Sequence, residues 1–185
     1  MLLERWREER APKVDGWLGG TYGVTDDGMF VGVVRFEDRQ KAMSNSDSAE
    51  QTEWAEQFGA LFDGTVEYHD CDDVTLFMDG GSDRAGFVQV IQGKVDDPSR
   101  LKAMIMADTT QLHEMRPDIL GGVLAVEPDG TFTETVFFTD EESARKGEQV
   151  EPPADVREEM AYAMREARFY DLHRPWFQSA GGMSS

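Results

Sequence analysis

The chain has 185 residues, a length that fits one large domain or two compact ones. Its 18 basic and 37 acidic side chains give a formal charge of −19. This charge argues against binding nucleic acid, whose affinity for proteins comes mainly from clustered Lys and Arg. Hydrophobic residues make up 39% of the chain, which is enough to bury a core.

The single cysteine, Cys71, cannot form an internal disulfide and fits a reducing compartment, so we expect a cytoplasmic protein. The longest apolar stretch, residues 119–126, is much shorter than the roughly 20 residues that span a bilayer. We therefore expect no membrane partner.

The first half of the chain begins with a predicted strand over residues 16–24, a turn at 26–28 and a second strand that ends at Phe36. Asp38 is placed to cap a short helix, and a longer helix is predicted over 50–62. A strand is predicted over 65–69. Residues 80–86 are glycine-rich and polar, which predicts a linker.

The second half begins with a predicted strand over 87–95, and Asp97 and Pro98 then start a helix that runs to about Met115. Strands over 119–126 and 132–138 flank a hairpin turn, and Asp140 caps a short helix. A longer helix over 154–167 precedes a last strand at 168–172. The order is β-α-β-β-α-β, the ferredoxin-like arrangement.

A shift of about 102 positions superimposes the two halves. Between Leu18 and Ala42, 11 of 25 positions match their counterparts, and most matches are turn glycines and apolar positions. The pattern indicates a duplicated fold rather than a duplicated active site. Met1 aligns inside the second copy's first helix, so the first copy lacks an opening strand. Three explanations are open: a seven-stranded arrangement, a start upstream of Met1, or residues 73–78 filling part of the gap.

The strand 87–91, the helix after Asp97, the motif Leu120-Gly121-Gly122, the strand 132–138 and the Asp140 cap together resemble the dimeric α/β-barrel superfamily. Its best-known branch is the antibiotic-biosynthesis monooxygenase-like domains, and the chain looks like a tandem-fused, actinobacterial-type member. The resemblance implies an α+β fold in which two ferredoxin-like repeats form an intramolecular barrel, a pseudo-dimer within one chain. The expected organisation is a first repeat over 1–79, a linker over 80–86 and a second repeat over 87–185. Further self-association is left open.

Five side chains are candidate ligand-binding residues. Trp54 and Phe58 lie on one face of a predicted helix, and the stripe fits either core packing or the lining of an aromatic pocket. Gln89 is a polar side chain on an apolar strand and needs a partner, which a ligand could supply. His113 could serve as a base if it faced a cleft, although a solvated position at a helix end is the simpler interpretation. Tyr68 has a counterpart in Tyr170, which suggests a shared packing position at a rim.

His69-Asp70-Cys71-Asp72-Asp73 is the densest run of potential metal ligands, but strand alternation divides these side chains between two faces. We therefore predict no metal site. Gly19-Gly20 and Gly121-Gly122 open strands rather than follow them, so no phosphate-binding loop is indicated and no cofactor is predicted. Catalytic residues cannot be assigned from the sequence.

The resemblance favours two functions. Whether the protein is an enzyme stays open. The first is a small-molecule-binding protein with an apolar cleft between helices and sheet. The second is a cofactor-independent monooxygenase acting on an electron-rich aromatic such as a quinol. A third alternative is an acidic protein-interaction module. The acidity itself fits solvation or a salt-adapted host rather than a mechanism.

Overall fold

A computed structural model describes residues 2–107, 109–152 and 154–180, and the side chains of 109–111 and 155 are not described. The helices are α1 (Leu2–Glu9), α2 (Arg39–Ser46), α3 (Ala49–Gly59), α4 (Pro98–Met106), α5 (Thr109–Met115), α6 (Glu141–Gly147) and α7 (Ala154–Ala163). The strands are β1 (Trp17–Val24), β2 (Phe30–Phe36), β3 (Asp73–Met78), β4 (Phe87–Lys94), β5 (Ile119–Val126), β6 (Thr131–Phe138), β7 (Arg168–Leu172) and β8 (Trp176–Ser179). A short 3₁₀ helix spans Ala11–Lys13.

The second repeat is a complete ferredoxin-like unit. Its strands lie in the order β3-β5-β6-β4-β7 and pair antiparallel, so the four strands of the repeat itself follow the order expected of this fold. One face of the sheet carries Phe87, Leu124 and Phe132, all fully buried, and Leu101 of α4 and Ala163 of α7 cover it from the helices. The fold class is α+β with tandem ferredoxin-like repeats, as predicted.

The first repeat is smaller. Its sheet has the order β2-β1-β8, and its core is an aromatic cluster around Trp6 and Trp17, whose ring centroids lie 5.1 Å apart in an edge-to-face arrangement. No strand of the described residues takes the place of the opening strand of the ferredoxin-like order here, as the sequence predicts. The β2 strand is therefore an end strand of its sheet.

Aspartates begin the helices at equivalent positions of the two repeats. The Asp38 carboxylate accepts a hydrogen bond from the Lys41 backbone N–H, and the Asp140 carboxylate accepts one from the Ser143 N–H. The Asp97 carboxylate caps α4 in the same way. All three predicted caps are confirmed, because a short carboxylate satisfies amides that the first helical turn leaves unpaired.

The hypothesis that residues 73–78 fill the gap in the first repeat is wrong. These residues form β3, which pairs with β5 at the edge of the second sheet. The 102-position shift places β3 on residues 175–180, where β8 lies beside β1. The trailing strands β3 and β8 are therefore counterparts, and the duplication extends further along the chain than the matched residues suggested.

This pairing explains the repeated Leu-Gly-Gly motif. Gly19 and Gly121 have φ angles of +148° and +151°, and a Cβ at either position would lie closer than 3.0 Å to a backbone oxygen, that of Gln178 or Gly80. A side chain would collide with the backbone at the end of the trailing strand. Glycine is required here by both conformation and space.

Two predicted elements differ from the structure. Residues 65–69 are irregular and form no strand. The single helix predicted from Asp97 to Met115 is divided into α4 and α5, and residue 108 between them lies outside the described residues. Leu101, Ile105 and Leu112 keep a helical spacing across both helices, so periodicity alone does not detect such a break.

The chain folds as two compact units, each built from segments that are not contiguous in the sequence. The first contains residues 2–21, 32–70 and 177–180, and the second contains 22–31 and 71–176. The tip of the β1–β2 hairpin thus belongs to the second unit, where Gly23 lies against the Leu172 side chain. The predicted division of the chain at 80–86 stays a prediction. None of the helices in the described residues is long and apolar enough to cross a membrane.

Candidate functional site

A carboxyl group lies on the core-facing side of the second sheet. Phe132, Val136 and Phe138 alternate along β6 and belong to the apolar core. Glu134 shares their face, because side chains two residues apart in a strand point the same way. Only 8% of the Glu134 residue surface is exposed. The sequence therefore places an acid where an apolar residue would complete the core.

The neighbours of Glu134 across the sheet are apolar. The strand register puts Leu124 of β5 on one side of it and Ile91 of β4 on the other. Both are members of the buried core. Among the described residues, no hydrogen bond or ion pair of the Glu134 carboxyl is found. A buried polar group without a partner is costly and uncommon in folded proteins.

Burial raises the pKa of the Glu134 carboxyl to about 7. The cause is desolvation, which penalises the charged form while no neighbouring cation compensates. At neutral pH the protonated and ionised forms are both populated. A carboxyl of this kind can accept a proton from a weakly acidic group and return it, which is the property required of a general base.

Gln89 lies close to Glu134 on the same face of the sheet. It is two residues before Ile91 on β4, which makes it a diagonal cross-strand neighbour of Glu134. Its Nε2 donates a hydrogen bond of 2.8 Å to Asp171 Oδ1 on β7. The partner of the Gln89 side chain is therefore a protein carboxylate on β7, and β7 lies on the opposite side of β4 from the strand that carries Glu134.

Arg145 contacts Asp171 on β7, the end strand of the second sheet, and the group Gln89, Asp171 and Arg145 is called the polar edge below. Its guanidinium donates a hydrogen bond to Asp171 and lies 5.1 Å from the centroid of the Phe87 ring. Asp171 thus accepts from Gln89 and from Arg145, which orders both side chains. Among the described residues Glu134 has no such contact, although it lies on the strand next to the one that carries Gln89.

His173 continues the polar edge beyond the end of β7. Its Nδ1 lies 2.6 Å from Glu141 Oε2, and its Nε2 lies 3.4 Å from Asp26 in the hairpin tip of the same unit. The hydrogen bond with Glu141 raises the pKa of His173, and partial burial opposes the shift. The interaction contributes stability that is fully present below the unfolded-state pKa and is lost as pH rises through the raised one.

We expect the imidazole of His173 to titrate at a higher pH than a free histidine, because its charged form is paired with Glu141. An NMR titration of the histidine ring protons measures this directly. In Glu141→Gln the His173 midpoint should fall toward that of a free histidine, because the charged ring loses its anionic partner. An unchanged His173 midpoint in the variant would show that Glu141 is not the source of the shift.

Trp54 and Phe58 lie in the first unit and contact each other. Their rings stack with centroids 4.6 Å apart, and Trp54 also contacts Trp6 edge to face at 6.3 Å. Both side chains are half-buried, and Trp54 packs against the aromatic core of that unit. The Trp54 Nε1 is buried and has no hydrogen-bond partner among the residues that the structure describes. Their role in binding a ligand stays a prediction.

Tyr68 and His113 do not join a cluster with the other candidates. Tyr68 is 77% exposed in the irregular segment after α3, and the side chain of His113 is exposed on α5. Trp54, Phe58 and Tyr68 belong to the first unit, whereas Gln89 and His113 belong to the second. Of the five candidates, only Gln89 lies beside Glu134. The other four assignments stay predictions.

A groove of about 570 Å³ opens in the first unit, but charged and polar side chains line it, including Arg10, Lys41 and Asn45. It is not the apolar cleft that the sequence predicted. Within the described residues, no group of three or more His, Cys, Asp or Glu side chains is arranged to hold a metal ion.

The sequence contains a signal for Glu134 that pattern reading missed. In Phe132-Thr133-Glu134-Thr135-Val136, an acid occupies a position whose neighbours two residues away are both apolar. Strand alternation therefore predicts a core-facing carboxyl. The first repeat has Gly32 at the equivalent position, so this feature belongs to the second repeat alone.

No protein-family model matches the sequence, and no curated protein matches it. Solved structures do match its fold. A candidate monooxygenase from Fusobacterium nucleatum is 12% identical, with a TM-score of 0.72 over 100% of this chain and 88% of its own. A candidate monooxygenase from Lactobacillus acidophilus is 12% identical, with a TM-score of 0.65 over 97% of this chain and 88% of its own. An anthrone oxidase-like protein is 11% identical, with a TM-score of 0.63 over 100% and 88%.

These similarities show that the chain shares the fold of these three solved structures. Identities near 12% carry the fold and not the activity. The tandem-fused, actinobacterial-type classification stays a prediction.

Proposed function

We propose that the second repeat binds an aromatic small molecule bearing a weakly acidic group, and that Glu134 accepts the proton of that group. The observation that carries this proposal is the unpaired, core-facing Glu134 carboxyl, whose pKa burial raises to about 7. An apolar surround favours an aromatic ligand, and a carboxyl poised near neutral pH suits an acid of the phenol or quinol type.

The ligand would lie between the sheet and the helices that cover Glu134. Met78, Met104 and Met164 pack against this core and are only partly buried. Methionine side chains are flexible and rearrange easily around an apolar guest. Gln89, held by Asp171, would orient a polar substituent of the ring beside Glu134.

Removal of the proton makes an aromatic ring electron-rich enough to react with molecular oxygen. In the keto form of such a phenol, the form of an anthrone, the activated ring carbon carries two hydrogens, and one atom of O2 forms the new carbonyl at that carbon. The other leaves as water with both hydrogens. This balance needs no outside reductant, so the reaction fits a monooxygenase without a cofactor. The names of the structural neighbours, candidate monooxygenases and an anthrone oxidase-like protein, favour this class by analogy of fold alone.

Oxygen uptake by the purified protein with a panel of quinols and anthrones tests the proposal. With a substrate of the right shape, the rate should rise with pH around the Glu134 pKa, since the ionised form is the base. Glu134→Gln should reduce the rate by about 100-fold or more, the usual contribution of a general base. The matched control is Glu114→Gln, which removes an exposed carboxylate of α5.

The outcomes separate the candidate functions. A Glu134→Gln variant with the wild-type rate would contradict the role of Glu134 as a base. Ligands that raise the melting temperature without any oxygen uptake would instead support a non-catalytic small-molecule-binding protein. If neither the quinols nor the anthrones bind, the acidic protein-interaction module becomes the better hypothesis.

A further inference from the structure

The two repeats have surface grooves at equivalent positions. The polar groove of about 570 Å³ lies in the first unit, and a groove of about 400 Å³ lies in the second. The 102-position shift carries six lining positions of the first groove, residues 13, 15, 41, 44, 45 and 48, onto lining positions of the second. The duplication has therefore placed a groove at the same point of each repeat, and their side chains can be compared position by position.

The arginine beside the second groove is neutralised by the chain itself. Arg116 donates from Nε and Nη2 to the two carboxylate oxygens of Asp118, at 3.0 and 2.7 Å. Such a two-point contact is among the strongest that a guanidinium makes with a carboxylate. Neither partner has a counterpart in the first repeat, where the equivalent residues are Val14 and Gly16.

A different arginine, Arg10, lines the first groove and follows directly after α1. Its Nε is buried and has no hydrogen-bond partner among the described residues. Its Nη2 donates to the Ser48 hydroxyl over a long distance of 3.4 Å. The two donors that hold a carboxylate in the second repeat are thus left without one in the first.

An unpaired acceptor lines the same groove. Asn45 Oδ1 is buried and has no hydrogen-bond partner within the described part of the chain. The equivalent residue of the second repeat is Gly147, where a Cβ would collide with the guanidinium of Arg116. A side chain at this position therefore suits only the repeat that lacks the Arg116 guanidinium. The first groove combines a buried donor and a buried acceptor, and each needs a partner.

The unpaired charges of the first groove have both signs. Arg10 and Lys13 form no ion pair with another described residue, and the same is true of Glu9 and Glu50. The other charged lining residues form an ion pair or cap a helix: Asp15, Asp38 and Lys41. A ligand with only a negative charge would meet two uncompensated acids, and one with only a positive charge would meet two uncompensated bases. These charges favour a ligand that carries both.

We propose that the first groove binds a free amino acid. Its carboxylate accepts hydrogen bonds from Arg10 Nε and Nη2, as the internal carboxylate does in the second repeat, and its ammonium group donates to Asn45 Oδ1 and faces Glu9 and Glu50. The Ser48 hydroxyl gives up its long contact with Arg10 and keeps its hydrogen bond at the N-terminus of α3. The positive end of that helix dipole also favours a carboxylate.

Isothermal titration calorimetry of the full chain with the free amino acids, one at a time, tests this proposal. For an amino acid that binds, Arg10→Lys should weaken the affinity by about tenfold or more, because it keeps the charge and removes the two-point contact. Arg7→Lys changes an exposed arginine of α1 outside the groove and should bind like the wild type. The matching carboxylic acid without the amine, and the matching amine without the carboxylate, should both bind more weakly than the amino acid.

Absence of binding by every amino acid would overturn the proposal. An Arg10→Lys variant with unchanged affinity would do the same, and so would equal affinity for either of the two analogues. If circular dichroism shows that Arg10→Lys does not fold, NMR of the wild type decides. The Arg10 Nε–H resonance should move downfield as the amino acid is added, and a resonance that is unchanged at saturation would refute the contact. None of these results depends on Glu134 or on oxygen uptake.

Discussion

Glu134→Gln is expected to raise the free energy of unfolding by about 3 kcal/mol at pH 8, because one pKa unit corresponds to about 1.4 kcal/mol. The buried carboxyl has a pKa of about 7 in the folded chain against 4.5 for the free side chain. Above pH 7 the wild type must fold with an unpaired buried charge, and glutamine carries none.

The pH dependence gives this prediction its sign. Between about pH 4.5 and 7 the folded state retains a proton that the unfolded state has lost, so wild-type stability falls as pH rises through this range. Below pH 4.5 both states are protonated and the variant gains nothing. Denaturant unfolding at pH 4.5 and pH 8 measures the difference.

Glu114→Gln removes a carboxylate from the exposed face of α5 and should leave stability nearly unchanged at both pH values. Equal stability of wild type and Glu134→Gln at pH 8 would show that the Glu134 carboxyl is solvated or paired. Together with the oxygen-uptake experiment, the result separates the cost of burying this acid from its proposed use. A group retained at such a cost is a candidate for function.

Gly121→Ala is expected to destabilise the second unit by about 4 kcal/mol, the sum of backbone strain and overpacking. Gly121 has a φ of +151°, and an added Cβ would collide with the backbone oxygen of Gly80 at the end of β3. The edge strand must shift, and its pairing with β5 should weaken. Chemical denaturation measures the loss of stability.

Gly28→Ala is the matched control. Gly28 also has a positive φ, +87°, but a Cβ there would meet no atom within 4 Å. Its substitution should therefore cost only the backbone strain, about 1–2 kcal/mol. Similar losses for Gly28→Ala and Gly121→Ala would mean that conformation alone, and not the approach of β3, accounts for the glycine at 121.

Local chemistry explains why much of the fold could be predicted from the sequence. The Asp38, Asp97 and Asp140 caps depend on hydrogen bonds within one helical turn, and the strands 119–126 and 132–138 are short apolar runs on either side of a turn. The predicted strand over 65–69 failed because β-propensity is decided by pairing, and these residues form no strand pair.

Less of the candidate site could be predicted from the sequence. Gln89 was identified because a polar side chain in an apolar strand needs a partner, and the structure supplies Asp171, which is 82 residues away. Glu134 was overlooked among many acids, since its importance depends on the absence of a partner rather than on a motif. Trp54 and Phe58 were recognised as neighbours on one helix, but helical spacing does not distinguish a core from a pocket.

By itself, the sequence determined the acidic character of the chain, the duplication and the β-α-β-β-α-β order of the second repeat, because these depend on composition and on contacts within short segments. Only the tertiary structure decided where β3 and β8 lie, why Gly19 and Gly121 are glycines, and that Glu134 is buried without a partner. Those facts depend on which segments distant in sequence come into contact. The surroundings that these contacts create determine the free energy of a buried charge or of a close backbone approach.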